Sequence, residues 1–147
     1  MKYFLLTLLA ALIIIQFFRI DKSVPEYNKT QDFISQETPP ETVKHILKKA
    51  CYDCHSNETV YPWYSEIAPV SWWLASHIEE GREHLNYSTW GEQPVKRKKH
   101  KLGEMIEEVE EGEMPLTSYT LAHSEASLTA DEKAALINWL KQVNSSL

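Results

Sequence analysis

The sequence predicts an all-α protein of about four helices joined by long loops. Apolar residues recur at helical spacing in four segments, no segment alternates convincingly as a strand, and a capping box precedes the last segment. A chain of 147 residues has room for one domain. Its formal net charge of −6 argues against general nucleic-acid binding, because phosphate recognition needs a basic face.

The first twenty residues predict an export signal. After a basic start the chain is apolar over residues 3–15, which is the usual pattern of such a signal. Bulky Phe17 and Phe18 stand where a cleavage site needs small residues. We therefore expect residues 1–20 to remain as a transmembrane signal anchor rather than be removed, although the apolar stretch is near the lower limit of roughly 17–25 residues for a spanning helix.

The rest of the chain divides into a tether and a domain. Residues 21–37 are polar and lack periodicity, so they are predicted to be a tether, with the folded domain over residues 38–147. Pro39 and Pro40 open the first domain helix, where a missing N–H costs nothing. The apolar stripe of this helix runs directly into Cys51 and consists of Val43, Ile46, Leu47 and Ala50.

Three further helices are predicted by the same periodicity. They are expected over residues 69–80 and 95–111, and after Thr129 to the end of the apolar stripe at Val143. Gly81 and Gly112 are read as end signals, because glycine tolerates the left-handed conformation that closes many helices. Thr129 and Glu132 form the capping box that begins the last helix.

The loops between these helices are long and rich in aromatic residues. Long loops are uncommon in a compact domain unless they have a function. Five Trp and seven Tyr in so short a chain indicate that the loops surround something other than protein. A basic run at residues 96–101 and an acidic run at 104–113 are interpreted as a solvated helix face, with a docking face for a charged partner as the alternative.

Both cysteines of the chain lie in one stretch, Cys51-Tyr52-Asp53-Cys54-His55. A disulfide across two intervening residues would close too small a loop to stabilise the fold much. A thioredoxin-like dithiol needs the pair at the start of a helix in a βαβ unit, whereas this pair follows a helix. A zinc site needs two more ligands, for which His77 and His84 offer only a loose pair.

Covalent haem attachment accounts for the whole stretch. Each thiol would form a thioether with a haem vinyl group, and His55 would bind the iron as the proximal ligand. Met114 is the first candidate for the distal ligand, since it stands in a predicted loop directly before Pro115. His77 is the rival, and a buried gap-filling role is the ordinary alternative for any methionine.

These residues resemble a small class I c-type cytochrome. More narrowly, the aromatic centre of the chain is similar to the bacterial haem-binding domain family of cytochrome-c-like proteins, with similarity over roughly residues 38–140. The motifs that carry it include Cys54-His55-Ser56-Asn57, Tyr61-Pro62-Trp63-Tyr64-Ser65, Ile67-Ala68-Pro69-Val70-Ser71-Trp72 and Met114-Pro115. The resemblance implies a cytochrome-c-like fold around one covalent haem c, held outside the cytoplasmic membrane. Leu116 departs from the pattern, which would have a second proline there.

The expected function is single-electron transfer rather than catalysis. With both axial positions filled, the iron would exchange electrons with redox protein partners, while the N-terminal helix contacts the membrane and no nucleic acid is involved. The alternative is a haem peroxidase, or a redox or gas sensor, with an open or labile distal site. The further residues expected to contact the haem are Trp63, Tyr64, Trp73, Arg82 and Trp90.

Overall fold

The computed structural model describes all 147 residues and contains eight α-helices and no strand, which confirms the all-α prediction. Short 3₁₀ turns lie between several of the helices. Helices α3, α5, α6 and α8 correspond to the four predicted domain helices, and α2, α4 and α7 are short additions. The helices are α1 (Lys2–Ile14), α2 (Phe33–Glu37), α3 (Glu41–Ala50), α4 (Tyr52–His55), α5 (Val70–His84), α6 (Val95–Glu111), α7 (Thr117–Ala122) and α8 (Ala130–Ser146).

The N-terminal helix is shorter than predicted. It ends at Ile14, and a 3₁₀ turn over Ile15–Phe17 follows. Gln16 fixes this turn to the domain, because its Nε2 donates to the Ala68 carbonyl at 2.9 Å and its Oε1 accepts from the Ala68 N–H at 3.0 Å. No helix of the structure combines the length and the apolar character needed to cross a membrane, so the spanning helix predicted over residues 1–20 is not observed.

The segment predicted as a tether over residues 21–37 contributes to the core. Asp32 caps α2 by accepting a hydrogen bond from the Ile34 N–H at 3.0 Å. Phe33 is fully buried, and its ring contacts three aromatic rings at centroid distances of 4.8–5.5 Å, those of Tyr87, Trp90 and Trp139. The tether prediction is wrong for this part of the segment, because one aromatic residue among polar ones leaves no periodic signal.

The core lies where α3, α6 and α8 meet. Each contributes at least one fully buried leucine, and removal of such a side chain from water stabilises the fold by roughly 1.5–3 kcal/mol. Those leucines are Leu47, Leu102, Leu136 and Leu140. The predicted end of α6 and the predicted start of α8 are confirmed: Gly112 is left-handed at φ +83°, and Thr129 and Glu132 form the capping box in both directions. The last helix continues past the predicted Val143 to Ser146.

The Cys51–His55 stretch follows α3 immediately and forms the single turn α4, which packs against α5. The sequence analysis predicted that α5 ends at Gly81. This prediction is wrong, because the helix continues to His84. A Cβ at Gly81 would stand 2.8 Å from the Cys54 carbonyl oxygen. Glycine is therefore required here for close packing of α5 on α4, rather than for a left-handed conformation.

Gly81→Ala and Gly103→Ala form a matched pair that tests this packing. Both glycines lie inside helices, but a Cβ at Gly103 meets nothing within 4 Å. We expect Gly103→Ala to stabilise the protein by about 0.5–1 kcal/mol, since alanine has the better helix propensity. Gly81→Ala should destabilise it by about 1–3 kcal/mol through overpacking, as measured by guanidinium unfolding. Equal effects of the two substitutions would contradict the close contact.

Candidate functional site

One large cavity, called here the main cavity, lies beside the Cys51–His55 stretch. Its volume is about 680 Å³, within the range of about 300–1,000 Å³ usual for ligand pockets. Its lining comes from every helix from α3 to α8. The apolar part of the wall consists mainly of Leu47, Leu85, Met105, Val109, Leu128, Leu136 and Leu140. The cavity can therefore take a large, mostly apolar ligand.

The two cysteines line this cavity as free thiols. Cys51 follows the last residue of α3, and Cys54 lies in α4. Burial raises the pKa of Cys51 to about 12 and that of Cys54 to about 11. A reactive dithiol depends on a lowered thiol pKa, so these cysteines lack the electrostatic environment of a disulfide oxidoreductase.

His55 lines the same cavity, and two backbone carbonyl groups fix the orientation of its ring. The Nδ1–H group donates to the carbonyl oxygens of Gly81 at 2.8 Å and Leu85 at 3.1 Å. Burial lowers the pKa of His55, which favours the neutral ring. A neutral ring with its proton on Nδ1 keeps a lone pair on Nε2, and this is the form in which histidine binds metals.

Met114 reaches the cavity from the turn between α6 and α7. This turn is fixed by one carbonyl oxygen, that of Glu108, which accepts from the N–H groups of Gly112, Glu113 and Met114 at 3.0–3.2 Å. Met114 is half-buried and packs against the core. The predicted pair of axial ligands, His55 and Met114, is thus found on the wall of one cavity.

Asp53, between the two cysteines, connects α4 to α7. Its Oδ2 accepts a hydrogen bond from the Tyr119 hydroxyl at 2.7 Å, and its Oδ1 accepts from the Val60 N–H at 3.0 Å. Tyr119 also lines the cavity. Burial raises the pKa of Tyr119 well above its ordinary value, so its hydroxyl stays a donor. Sequence reasoning gave neither residue a role, because nothing local connects positions 66 apart in the chain.

Five residues predicted to contact the cofactor are absent from the cavity lining. Trp63 is 77% exposed and Trp73 is 45% exposed, so both rings face solvent. Trp73 lies against His77, with ring centroids 4.2 Å apart. His77 itself lines the cavity, but its Nδ1 is within hydrogen-bonding distance of the Trp73 carbonyl at 2.9 Å. The five residues are Trp63, Tyr64, Trp73, Arg82 and Trp90.

The other three residues, Tyr64, Arg82 and Trp90, form hydrogen bonds within the structure around the cavity. Tyr64 is hydrogen-bonded to His123 through its hydroxyl and the histidine Nε2, 2.8 Å apart. Arg82 donates from Nε to the Ser56 carbonyl at 2.9 Å and holds the loop after α4.

Trp90 is buried in the core. Its Nε1–H donates to Glu37 of α2 at 2.6 Å. The aromatic loops are thus used partly for packing, which their composition did not reveal. Tyr87 is the residue of those loops that does line the cavity, and it stacks on Tyr52 with centroids 5.0 Å apart.

The zinc alternative finds no support in the geometry. No group of three or more His, Cys, Asp or Glu side chains converges to hold a metal ion. His77 and His84 both line the main cavity without completing a ligand set with the cysteines.

Comparison with known proteins agrees with the resemblance seen in the sequence. Residues 10–142 match the family model described as the haem-binding domain. Comparison with curated proteins returned no match, and comparison with solved structures returned none either. The match begins well before residue 38, in line with the packing of α2 on the core. Because the match covers nearly the whole chain, this protein belongs to the haem-binding domain family.

Proposed function

We propose that the protein carries one covalently attached haem c and transfers single electrons. The observation that supports this most directly is that Cys51, Cys54, His55 and Met114 all line one cavity of about 680 Å³. These are the donor types that c-type haem requires: two thiols for attachment, an imidazole and a thioether for the iron. We also propose a cytochrome-c-like arrangement of the helices around this group.

The residues of the cavity fit such a group in their chemistry as well as their place. Cys51 and Cys54 are free thiols, so both can form thioethers. His55 has its Nδ1–H bound to two carbonyl groups and its Nε2 free of any hydrogen bond within the protein, which leaves this nitrogen for iron. The apolar part of the wall lowers the local dielectric on its side of the cavity, which is one of the ways a protein tunes a haem potential.

A bound haem c supplies reversible one-electron chemistry, and a His–Met ligand pair favours a raised potential. The protein contributes a fixed position for each of the two candidate ligands. His55 is oriented by α5, and Met114 stands in a turn whose backbone is fixed by the Glu108 carbonyl. Ligands held in this way change position little between oxidation states, which suits electron transfer better than bond-making chemistry.

The proposed location is the outer side of the bacterial cytoplasmic membrane, with other redox proteins as electron donor and acceptor. The basic start and apolar run of residues 1–15 support export. None of the residues of α1 is buried, and its apolar side chains are exposed along the whole helix. An exposed apolar surface of this kind is typical of a segment that contacts a membrane or another protein.

Replacing both cysteines by alanine tests covalent attachment. We expect the Cys51→Ala/Cys54→Ala variant to lose all haem that survives denaturation, because the chain has only these two thiols. Each single variant should retain haem through its remaining thioether. Haem staining of denaturing gels after expression with c-type maturation proteins measures the difference. A wild-type chain that carries no haem under these conditions contradicts the proposed function.

The Met114→Leu variant tests the distal ligand. Loss of the thioether should remove the sulfur-to-iron absorption band at the red end of the visible spectrum and open the iron to CO. Met105→Leu is the matched control, since Met105 also lines the cavity but belongs to the apolar face of α6. It should keep the band and exclude CO, and His77→Ala should do the same.

Two results would change the assignment. Loss of the band in His77→Ala but not in Met114→Leu would make His77 the distal ligand. Binding of CO by the wild-type protein would show an open iron position and favour the peroxidase or sensor function over electron transfer.

A further inference from the structure

Exposed apolar side chains of the domain are concentrated between residues 60 and 73, called here the apolar segment. After Phe18 the chain exposes nine large apolar residues, and six of them belong to this segment. The six are Val60, Trp63, Ile67, Val70, Trp72 and Trp73. The two Trp outside the segment, Trp90 and Trp139, are buried. Apolar surface concentrated in this way marks a site of contact with another protein or a membrane.

The apolar segment also holds the base of α1. Gln16 makes two hydrogen bonds with the backbone of Ala68, at 2.9 and 3.0 Å. The Trp72 Nε1–H donates to the Phe18 carbonyl at 2.8 Å. The exposed apolar surface of α1 is therefore joined to that of the segment through hydrogen bonds with backbone atoms.

The charges at this junction are arranged for an anionic surface rather than against one. Glu66 is the single charged side chain of the apolar segment. Arg19 donates to its carboxylate at 2.7 Å, and Lys22 pairs with the other oxygen of the same group. Two cations against one carboxylate leave one positive charge in excess. Basic residues beside an apolar surface are attracted to anionic lipid headgroups.

The composition of the segment favours lipid as its partner. Three of the five Trp of the chain lie in it, and Trp is enriched at membrane–water interfaces because its ring has an apolar body and a polar N–H. The adjoining α1 belongs to the basic start and apolar run of an export signal, which is a sequence that enters a bilayer. A soluble protein partner would leave this continuity with α1 unexplained.

We propose that the apolar segment lies on the bilayer surface at the base of α1, so that the haem-binding domain itself contacts the lipid headgroup region. This rests on the membrane location given in the proposed function. The contact fixes one orientation of the domain. Helix α5 leads from Trp73 in the segment to Gly81 in the wall of the main cavity, about 12 Å along the helix axis. The cavity is thereby held near the bilayer.

Hydroxyl-radical footprinting tests the contact, with the full haem-carrying chain bound to vesicles of phosphatidylcholine and phosphatidylglycerol. Trp63 is 77% exposed and Leu121, outside the segment, is 83% exposed. Without a covering surface, both would be oxidised almost as fast as in the denatured chain. We expect the bilayer to slow the oxidation of Trp63 at least about fivefold and that of Leu121 less than about twofold, as measured by mass spectrometry.

Trp63→Ser and Leu121→Ser are the matched variants for affinity. Both remove an exposed apolar side chain, and α1 contributes equally to vesicle binding in each. Trp63→Ser should lower the partition coefficient in vesicle flotation about tenfold, because an apolar ring no longer leaves water, and Leu121→Ser should lower it less than about twofold. Both variants should retain covalent haem, since neither residue lines the main cavity.

Free oxidation of Trp63 in the vesicle-bound protein, or equal effects of the two serine variants, overturns the proposal. Protection of Trp63 that disappears as lipid is added at constant protein would show contact between copies of the chain, and this also overturns it. A chain isolated without haem refutes the proposed function, while its footprint still tests the lipid contact. A chain that carries haem but leaves Trp63 unprotected on vesicles refutes the contact alone.

Discussion

Gly81 occupies the point at which α5 touches α4, and much of the site depends on the contact made there. The missing side chain lets the backbone of α5 approach the Cys54 carbonyl, since a Cβ would stand 2.8 Å from that oxygen. The Gly81 carbonyl in turn accepts the Nδ1–H of His55. One residue therefore positions both the end of the cysteine pair and the ring of the histidine. At this point of the main cavity the positioning contacts are made to backbone atoms rather than to flexible side chains.

Two polar side chains of α4 connect this turn to other helices. Asp53 ties it to α7 through Tyr119, and Tyr52 ties it to α2, because the Tyr52 hydroxyl donates to Asp32 at 2.8 Å. Burial raises the pKa of Asp32, while the hydrogen bond from Tyr52 opposes that shift. The polar segment before α3 is thus part of the domain, and it supports the cavity through the turn that lines it.

Helix α6 has its charges arranged against its own dipole, with cations at the beginning and glutamates at the end. The acidic end is offset from outside the helix, because Lys133 donates to the Glu110 carbonyl at 2.8 Å and Lys141 pairs with the Glu110 carboxylate at 2.7 Å. At the basic end, Lys101 pairs with Glu104 at 2.6 Å, and the Lys98 Nζ lies 5.5 Å from the centroid of the Trp90 ring. The later turns of α6 line the main cavity, whereas Arg97 and Lys98 of its first turns lie beside Thr89 and Trp90.

The sequence alone determined the features that local patterns carry. The all-α class, the extents of α3 and α6 and the capped start of α8 follow from apolar periodicity and from glycine and capping residues. The candidate residues Cys51, Cys54, His55 and Met114 could be named from the sequence because each belongs to a short motif. All four residues line one cavity, in agreement with the prediction that they act together. The family match supports haem as the ligand that the prediction assumed.

Only the tertiary structure decided which surfaces meet. The burial of Phe33, the packing role of Gly81 and the position of Trp90 in the core depend on residues far away in the chain. Composition marked the aromatic loops as special, but it could not separate a ring that lines the cavity, such as Tyr87, from one that fills the core. Lys98 belonged to a run that was interpreted as solvated, yet its side chain is only 9% exposed and lies over the Trp90 ring. Such contacts join positions distant in sequence, and no local pattern records them.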